Sequence, residues 1–219
     1  MTTTALRIDI VSDVVCPWCI VGYRQLERAV KATGVSVDIH WHPFELNPNM
    51  PVEGQNLVEH IMEKYGSSPE DSKANRARLT EIGEELDFAF SFSEDMRMHN
   101  TFNTHQLLHW AKQQGRGDDL KQAMFNAHFT YLRDLSDVAV LADIASEIGF
   151  DRDAAVAVLA DQRFANDVRS EESFWTQQGI SGVPAMVFNR KHLVTGAQGV
   201  ENYTSILTQL SEMTDTGAE

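Results

Sequence analysis

Strand signals stand at the two ends of this 219-residue chain and are nearly absent between them. Near the start, Leu6, Ile8 and Ile10 alternate with Arg7 and Asp9, and Val35, Val37, Ile39 and Trp41 alternate with Ser36, Asp38, His40 and His42. Alternation with period two marks a half-buried strand. Between these runs Ile20, Tyr23, Leu26 and Val30 recur at helical spacing, and Gly34 supplies the stop. Strand, helix, strand is a parallel unit, and its crossover should be right-handed. Near the end, Ala185 to Phe188 and His192 to Thr195 flank Asn189-Arg190-Lys191 as a hairpin, and Val200, Tyr203, Ile206, Leu207 and Leu210 mark a closing helix. Neither end can bury a sheet alone. Together they make a four-stranded mixed sheet with helices on both faces. The expectation is an α/β domain built from residues 1–52 and 165–219, interrupted by an all-helical insertion over 53–164.

Within the insertion, Ser68-Pro69-Glu70-Asp71 reads as an N-cap with proline at the first helical position. Ser136-Asp137 and Asp151 read as further helix starts, and Gly115, Gly149 and Gly179 as stops. Phe88, Phe90 and Phe92 alternate with Ala89 and Ser91 in a short extended link.

A net charge of −14, with no local basic cluster, argues against nucleic acid as a partner. No apolar stretch approaches the roughly 20 residues that a membrane helix needs. The opening Met1-Thr2-Thr3-Thr4-Ala5-Leu6-Arg7 lacks a basic segment leading into an apolar one, so a cytoplasmic location is expected.

The only two cysteines, Cys16 and Cys19, stand in Cys16-Pro17-Trp18-Cys19 at the first strand-to-helix junction. A pair at this spacing and place reads as a redox couple. It closes too small a loop to staple a fold. Unpaired N–H groups at a helix start favour negative charge, and the thiolate is the form that attacks a disulfide. Cys16, nearer the helix start and expected to be the more exposed, is the candidate nucleophile. Cys19, one turn on, is the candidate resolving thiol. The bland alternative is two buried, inert thiols.

This order of elements, with Cys16-Pro17-Trp18-Cys19 after the first strand and Gly179-Ile180-Ser181-Gly182-Val183-Pro184 before the third, resembles the thioredoxin-fold DsbA-like family. The FrnE-type branch of dithiol–disulfide oxidoreductases is the most similar. Ser12-Asp13, the His42-Pro43-Phe44-Glu45-Leu46-Asn47-Pro48 run, the segment from Asn100-Thr101 to His105, and Val183-Pro184 carry the resemblance, which spans nearly the whole chain. It implies a thioredoxin fold, catalysis by Cys16 and Cys19, and a cis proline at Pro184 packed beside them. It calls for no bound cofactor, no metal and no membrane. The implied partner is a thiol- or disulfide-containing protein, or a small thiol such as glutathione. Pro17, Trp18 and Val183 become active-site neighbours, Val183 offering its backbone to an extended substrate segment, and His105 becomes a cleft residue. DsbA itself carries histidine where this chain has Trp18. A neutral indole adds no positive charge, so the pair is expected to be less oxidising than that of DsbA.

Asp13, three residues before Cys16, suits a proton relay. A strand-end cap or an exposed charge is the more ordinary role. Cys16 and Cys19 with His40 and His42 form a nominal zinc set, but those histidines are one residue apart where about three are usual. His105 and His109 lie one helical turn apart with His99 nearby, and no Glu or Cys completes them at motif spacing. Phe88, Phe90, Phe92 and Met96 to Met98 fit an ordinary core better than a substrate groove. Two other functions compete with the oxidoreductase. One is a glutathione-dependent isomerase or transferase of the 2-hydroxychromene-2-carboxylate isomerase or kappa type, which shares the topology but generally carries serine at the nucleophile position. The other is a non-catalytic protein-binding or chaperone module.

Overall fold

A computed structural model describes residues 5–51 and 53–216; the boundary expected at residue 52 falls on a position outside them. β1 (Leu6–Ser12) leads into α1 (Pro17–Thr33) and β2 (Val37–Pro43). β3 (Gln55–Asn56), α2 (Leu57–Tyr65), α3 (Pro69–Glu85) and β4 (Arg97–Met98) follow, then α4 (Phe102–Gln113), α5 (Gly117–Phe129), α6 (Val138–Glu147), α7 (Arg152–Asp161) and α8 (Ala165–Gln177). The chain closes with β5 (Ala185–Phe188), β6 (His192–Thr195) and α9 (Val200–Thr216).

The principal sheet has the order β2-β1-β5-β6. β1 runs parallel to β2, from Leu6 opposite Val37 to Ser12 opposite Pro43, and antiparallel to β5, with Ile8 opposite Phe188 and Val11 opposite Ala185. The parallel pairing requires a crossover, and α1 supplies it. Gly34 ends α1 at φ 69°, returning its N–H to the Val30 carbonyl. One face of the sheet, carrying Ile8, Ile10, Met186 and Phe188, is buried under α1 and α9. The other face carries Asp9, Val11 and His42 and lies against α8, with Val11 and Ala185 packed on Trp175. This is the thioredoxin arrangement that the terminal strand signals anticipate.

The inserted segment is not wholly helical. Gln55–Asn56 pairs antiparallel with Arg97–Met98. Two-residue strands are too short to leave an alternation in the sequence. A second core forms among α4 to α7, around Leu107, Leu120, Met124, Leu141 and Val158, and takes in Val14 and Val15 from the loop after β1. Leu79, Phe88, Phe90, Phe125 and Phe129, all from the insertion, belong to the same buried cluster as β1 and α1. The insertion therefore packs directly over the end of the sheet from which Cys16 emerges. Among the described residues no helix is long and apolar enough to cross a membrane.

Candidate active site

Cys16 is the N-cap of α1, with extended backbone (φ −92°, ψ 111°), and Pro17 is its first helical residue. Proline costs nothing there because that N–H has no partner within the helix. The Cys19 amide donates to the Cys16 carbonyl at 3.0 Å, holding the two residues on one tight turn. No disulfide joins the two thiols, and the neighbouring Cys16 makes the buried Cys19 thiol harder to ionise. Cys16 is 4% exposed and Cys19 fully buried. The expected order of exposure holds, but Cys16 is not an open surface thiol.

The loop before β5 closes over the pair. The Cys16 thiol donates to the Val183 carbonyl at 3.5 Å, and the Val183–Pro184 bond is cis. Pro184 sits against α1 at Gly22, where an added Cβ would make ordinary contact, 3.4 Å from Pro184 Cγ and 3.5 Å from Met186 Cε. Trp18 is partly buried against the main core, with the Arg78 guanidinium 6.0 Å from its ring centre.

Behind the cysteines lies a buried charged cluster. Asp13 is completely buried, which overturns the reading of an exposed charge. The Leu46 N–H donates to its Oδ2 at 2.7 Å, and His105 Nε2 stands 3.3 Å from its Oδ1 and 3.1 Å from the Phe44 carbonyl. Burial pushes the Asp13 carboxyl up, but His105, the Leu46 amide and Lys121 outweigh it, and the group stays below the usual carboxylate range. Lys121, on α5, is 1% exposed. Its ammonium donates to the Ser12 carbonyl at 3.4 Å and lies 5.2 Å and 5.1 Å from the Trp41 and Phe125 ring centres. Burial pulls Lys121 down to about 8, against the attraction of Cys19 and Asp13. Burial pushes the Cys19 thiol well up, the neighbouring Cys16 adds to this, and Lys121 opposes it.

Lys121 is the residue that sequence reasoning passed over. The charge that Trp18 cannot supply arrives from the insertion instead. Its signal was a lysine one turn before Phe125, on the apolar face of a helix that also carries Leu120 and Met124. His128 was missed in the same way. It is 2% exposed, and burial together with nearby His99 pulls its imidazole down to about 3.

The other histidines go elsewhere. His42 Nε2 bonds Asp9 Oδ1 at 2.8 Å and its Nδ1 bonds Glu171 at 2.5 Å. His40 bonds Asp38 at 2.7 Å. Both stand on the sheet face turned away from α1, so the nominal zinc set is not brought together. His109 lies 3.8 Å from Glu171, separated in role from His105 although one turn away. Phe88 and Phe90 are core residues, edge-on to each other at 4.9 Å. Met96 and Met98 are core residues as well, and with Phe92 they also line a cavity of about 470 Å³ that opens onto Cys16 and Val183.

Solved structures of similar fold agree with this arrangement. A probable DsbA oxidoreductase from Streptomyces coelicolor is 34% identical and superposes with a TM-score of 0.85, over 93% of this chain and 89% of that one. The structure of a 2-hydroxychromene-2-carboxylate isomerase superposes at 0.71 with 14% identity, over 97% of this chain and all of that one. The cytosolic disulfide reductase DsbM from Pseudomonas aeruginosa, solved with glutathione, superposes at 0.64 with 17% identity, over 94% and 99% of the two chains. The last two show the shared fold alone. The DSBA-like thioredoxin domain matches residues 7–208, and with the strand order β2-β1-β5-β6 and the cysteine pair at the head of α1 this chain belongs to the DSBA-like thioredoxin family.

Proposed function

We propose that this chain is a FrnE-type thiol–disulfide oxidoreductase acting through Cys16 and Cys19, without a bound cofactor, in the cytoplasm. The observation that carries the reading is the pair of free thiols at the head of α1, Cys16 against the Val183 carbonyl of the cis-proline loop, with a buried ammonium, Lys121, behind them.

Cys16 is the attacking thiolate. It faces the cavity, and the helix start favours its negative charge. Cys19 resolves the mixed disulfide. Its thiol is costly to ionise where it is buried, and Lys121 offsets that cost. Asp13, held charged by His105 and the Leu46 amide, keeps a negative charge opposite Lys121, so the ammonium is balanced when Cys19 is neutral. Pro184 shapes the wall beside the thiols, and Val183 offers its backbone to whatever carries the substrate sulfur.

The experiment is a redox titration. The protein is equilibrated in dithiol–disulfide buffers of graded poise and its thiols are trapped by alkylation. Cys16 and Cys19 should convert together and reversibly between two free thiols and one internal disulfide, at a poise within the roughly −270 to −120 mV spanned by thioredoxin-like proteins. Two thiols that stay alkylatable across that range contradict the reading. A glutathione-dependent isomerase would retain activity in Cys19→Ser, and a binding module would be indifferent to the loss of either cysteine.

A further inference from the structure

The cavity beside Cys16 holds more than its redox chemistry requires. At about 470 Å³ it falls within the roughly 300–1,000 Å³ of small-molecule sites. Its walls are mainly apolar, from Leu57, Ile61, Leu79, Phe92, Met96 and Phe129. Among the polar residues that also line it, two stand out. His128 lines the cavity and is 2% exposed, yet its Nε2 has no hydrogen-bond partner among the described residues. A buried polar atom left unpaired costs about 1–3 kcal/mol, and a ligand that pairs it recovers that. The second feature is Arg76. Its guanidinium is half-buried at the wall and donates to the Ser72 hydroxyl at 2.8 Å, with no carboxylate partner among the described residues. Asp71, the carboxylate nearest in the lining, is already bound to Ser68 as a helix cap. The remaining histidine, His60, has both ring nitrogens engaged, by Gln55 and Asn47.

We propose that this cavity selects a low-molecular-weight disulfide, with an apolar body seated against Phe92 and Phe129, one hydrogen-bonding group on His128 Nε2 and one anionic group on Arg76. The proposal rests on the oxidoreductase reading and names its substrate class. A folded protein presents a disulfide on a broad surface, whereas Cys16 is 4% exposed at the end of a pocket. Glutathione, with carboxylates at both ends and an ammonium, asks for more charged partners than one guanidinium supplies. The step balances within the pair. The Cys16 thiolate attacks one substrate sulfur, the substrate S–S bond breaks, and the first thiol leaves with a proton. The Cys19 thiolate then attacks Cys16 Sγ and the second thiol leaves. Two electrons pass from the dithiol to the substrate, and the protein is left as an internal disulfide.

The test is a single turnover of prereduced protein, needing no recycling partner. Dithiobis(nitrobenzoate), aromatic and anionic, is compared by stopped flow with neutral dithiodipyridine and with insulin. The net charge of −14 disfavours any anion at long range. Saturating kinetics with dithiobis(nitrobenzoate) therefore report a local site. The expected result is saturation with this probe, a slower reaction with insulin, and a half-saturation raised about tenfold in Arg76→Gln, with dithiodipyridine unaffected. His128→Phe, which keeps a planar ring and removes the nitrogen, should weaken both small probes. Rates that rise linearly for every disulfide, or that are fastest with insulin, overturn the pocket proposal and leave the redox pair standing. If none of the disulfides modifies Cys16, both proposals fall.

Discussion

His105 Nε2 stands 3.3 Å from Asp13 Oδ1, and both side chains are sealed from solvent. The contact ties α4 of the insertion to the residue that leads out of β1 toward Cys16. It makes the insertion part of the machinery that fixes the electrostatics of the cysteine pair.

Breaking this contact should be expensive. His105→Phe leaves the buried Asp13 carboxylate with fewer partners, and removing one member of a buried pair costs about 3–5 kcal/mol. The double variant with Asp13→Asn should recover a large part of that loss, because the stranded charge is gone. Urea unfolding of both single variants and the double measures the coupling. Strictly additive losses would mean that the two residues do not act on each other.

Lys121 should serve both stability and rate. Lys121→Met keeps the stem against Trp41 and Phe125 but strands buried Asp13 without that cation, so stability at neutral pH should fall, by up to about 3–5 kcal/mol. Cys19 loses the cation that favours its thiolate, and because a more basic thiolate is also a better nucleophile, release of the second substrate thiol should slow about three- to fourfold for each unit by which its pKa rises. Lower stability with an unchanged second step would make Lys121 purely structural.

Acid should destabilise the fold before the ordinary carboxylates titrate. The His128 imidazole is held neutral down to about pH 3, whereas in the unfolded chain it takes a proton near 6.5. Between these values the unfolded state binds more protons. Stability therefore falls as pH drops through that window, at up to about 1.4 kcal/mol per pH unit for this one group. Unfolding free energies from pH 7 to 4 should show a shallower slope in His128→Phe than in the parent. Equal slopes would count against the buried neutral imidazole.

Gly83 is a packing constraint at the end of α3. A Cβ there would lie 2.4 Å from the Phe88 carbonyl oxygen and 2.5 Å from Phe90 Cδ2. The first of these atoms is backbone and cannot swing aside. Gly83→Ala should cost about 1–3 kcal/mol despite alanine's better helix propensity, displacing the link that carries Phe88 and Phe90. Thermal unfolding gives the answer, and a neutral or stabilised variant would refute it.

The parts legible in the sequence are those set by local chemistry. The hairpin strands fall at Ala185–Phe188 and His192–Thr195 as their alternation implies, and Asp137 and Asp151 cap α6 and α7 through the amides their side chains can reach. Proline at the first turn of α1 and glycine at its end follow equally local rules. What escaped was set by packing between distant segments. Asp13 could not be called buried until α4 was known to bring His105 over it. Lys121 and His128 look like ordinary helix residues until α5 is placed against β1 and α3. The β3–β4 ladder joins segments some forty residues apart through two residues each, too few to leave a pattern.

The central claim is that Cys16 attacks and Cys19 resolves, and mass spectrometry of trapped adducts tests it most directly. Prereduced Cys19→Ser mixed with a small disulfide should hold one substrate half as a stable mixed disulfide on Cys16, while Cys16→Ser holds none and the parent protein passes on to the internal Cys16–Cys19 disulfide. A stable adduct on Cys19 in the Cys16→Ser protein, or no adduct in Cys19→Ser, would contradict the account.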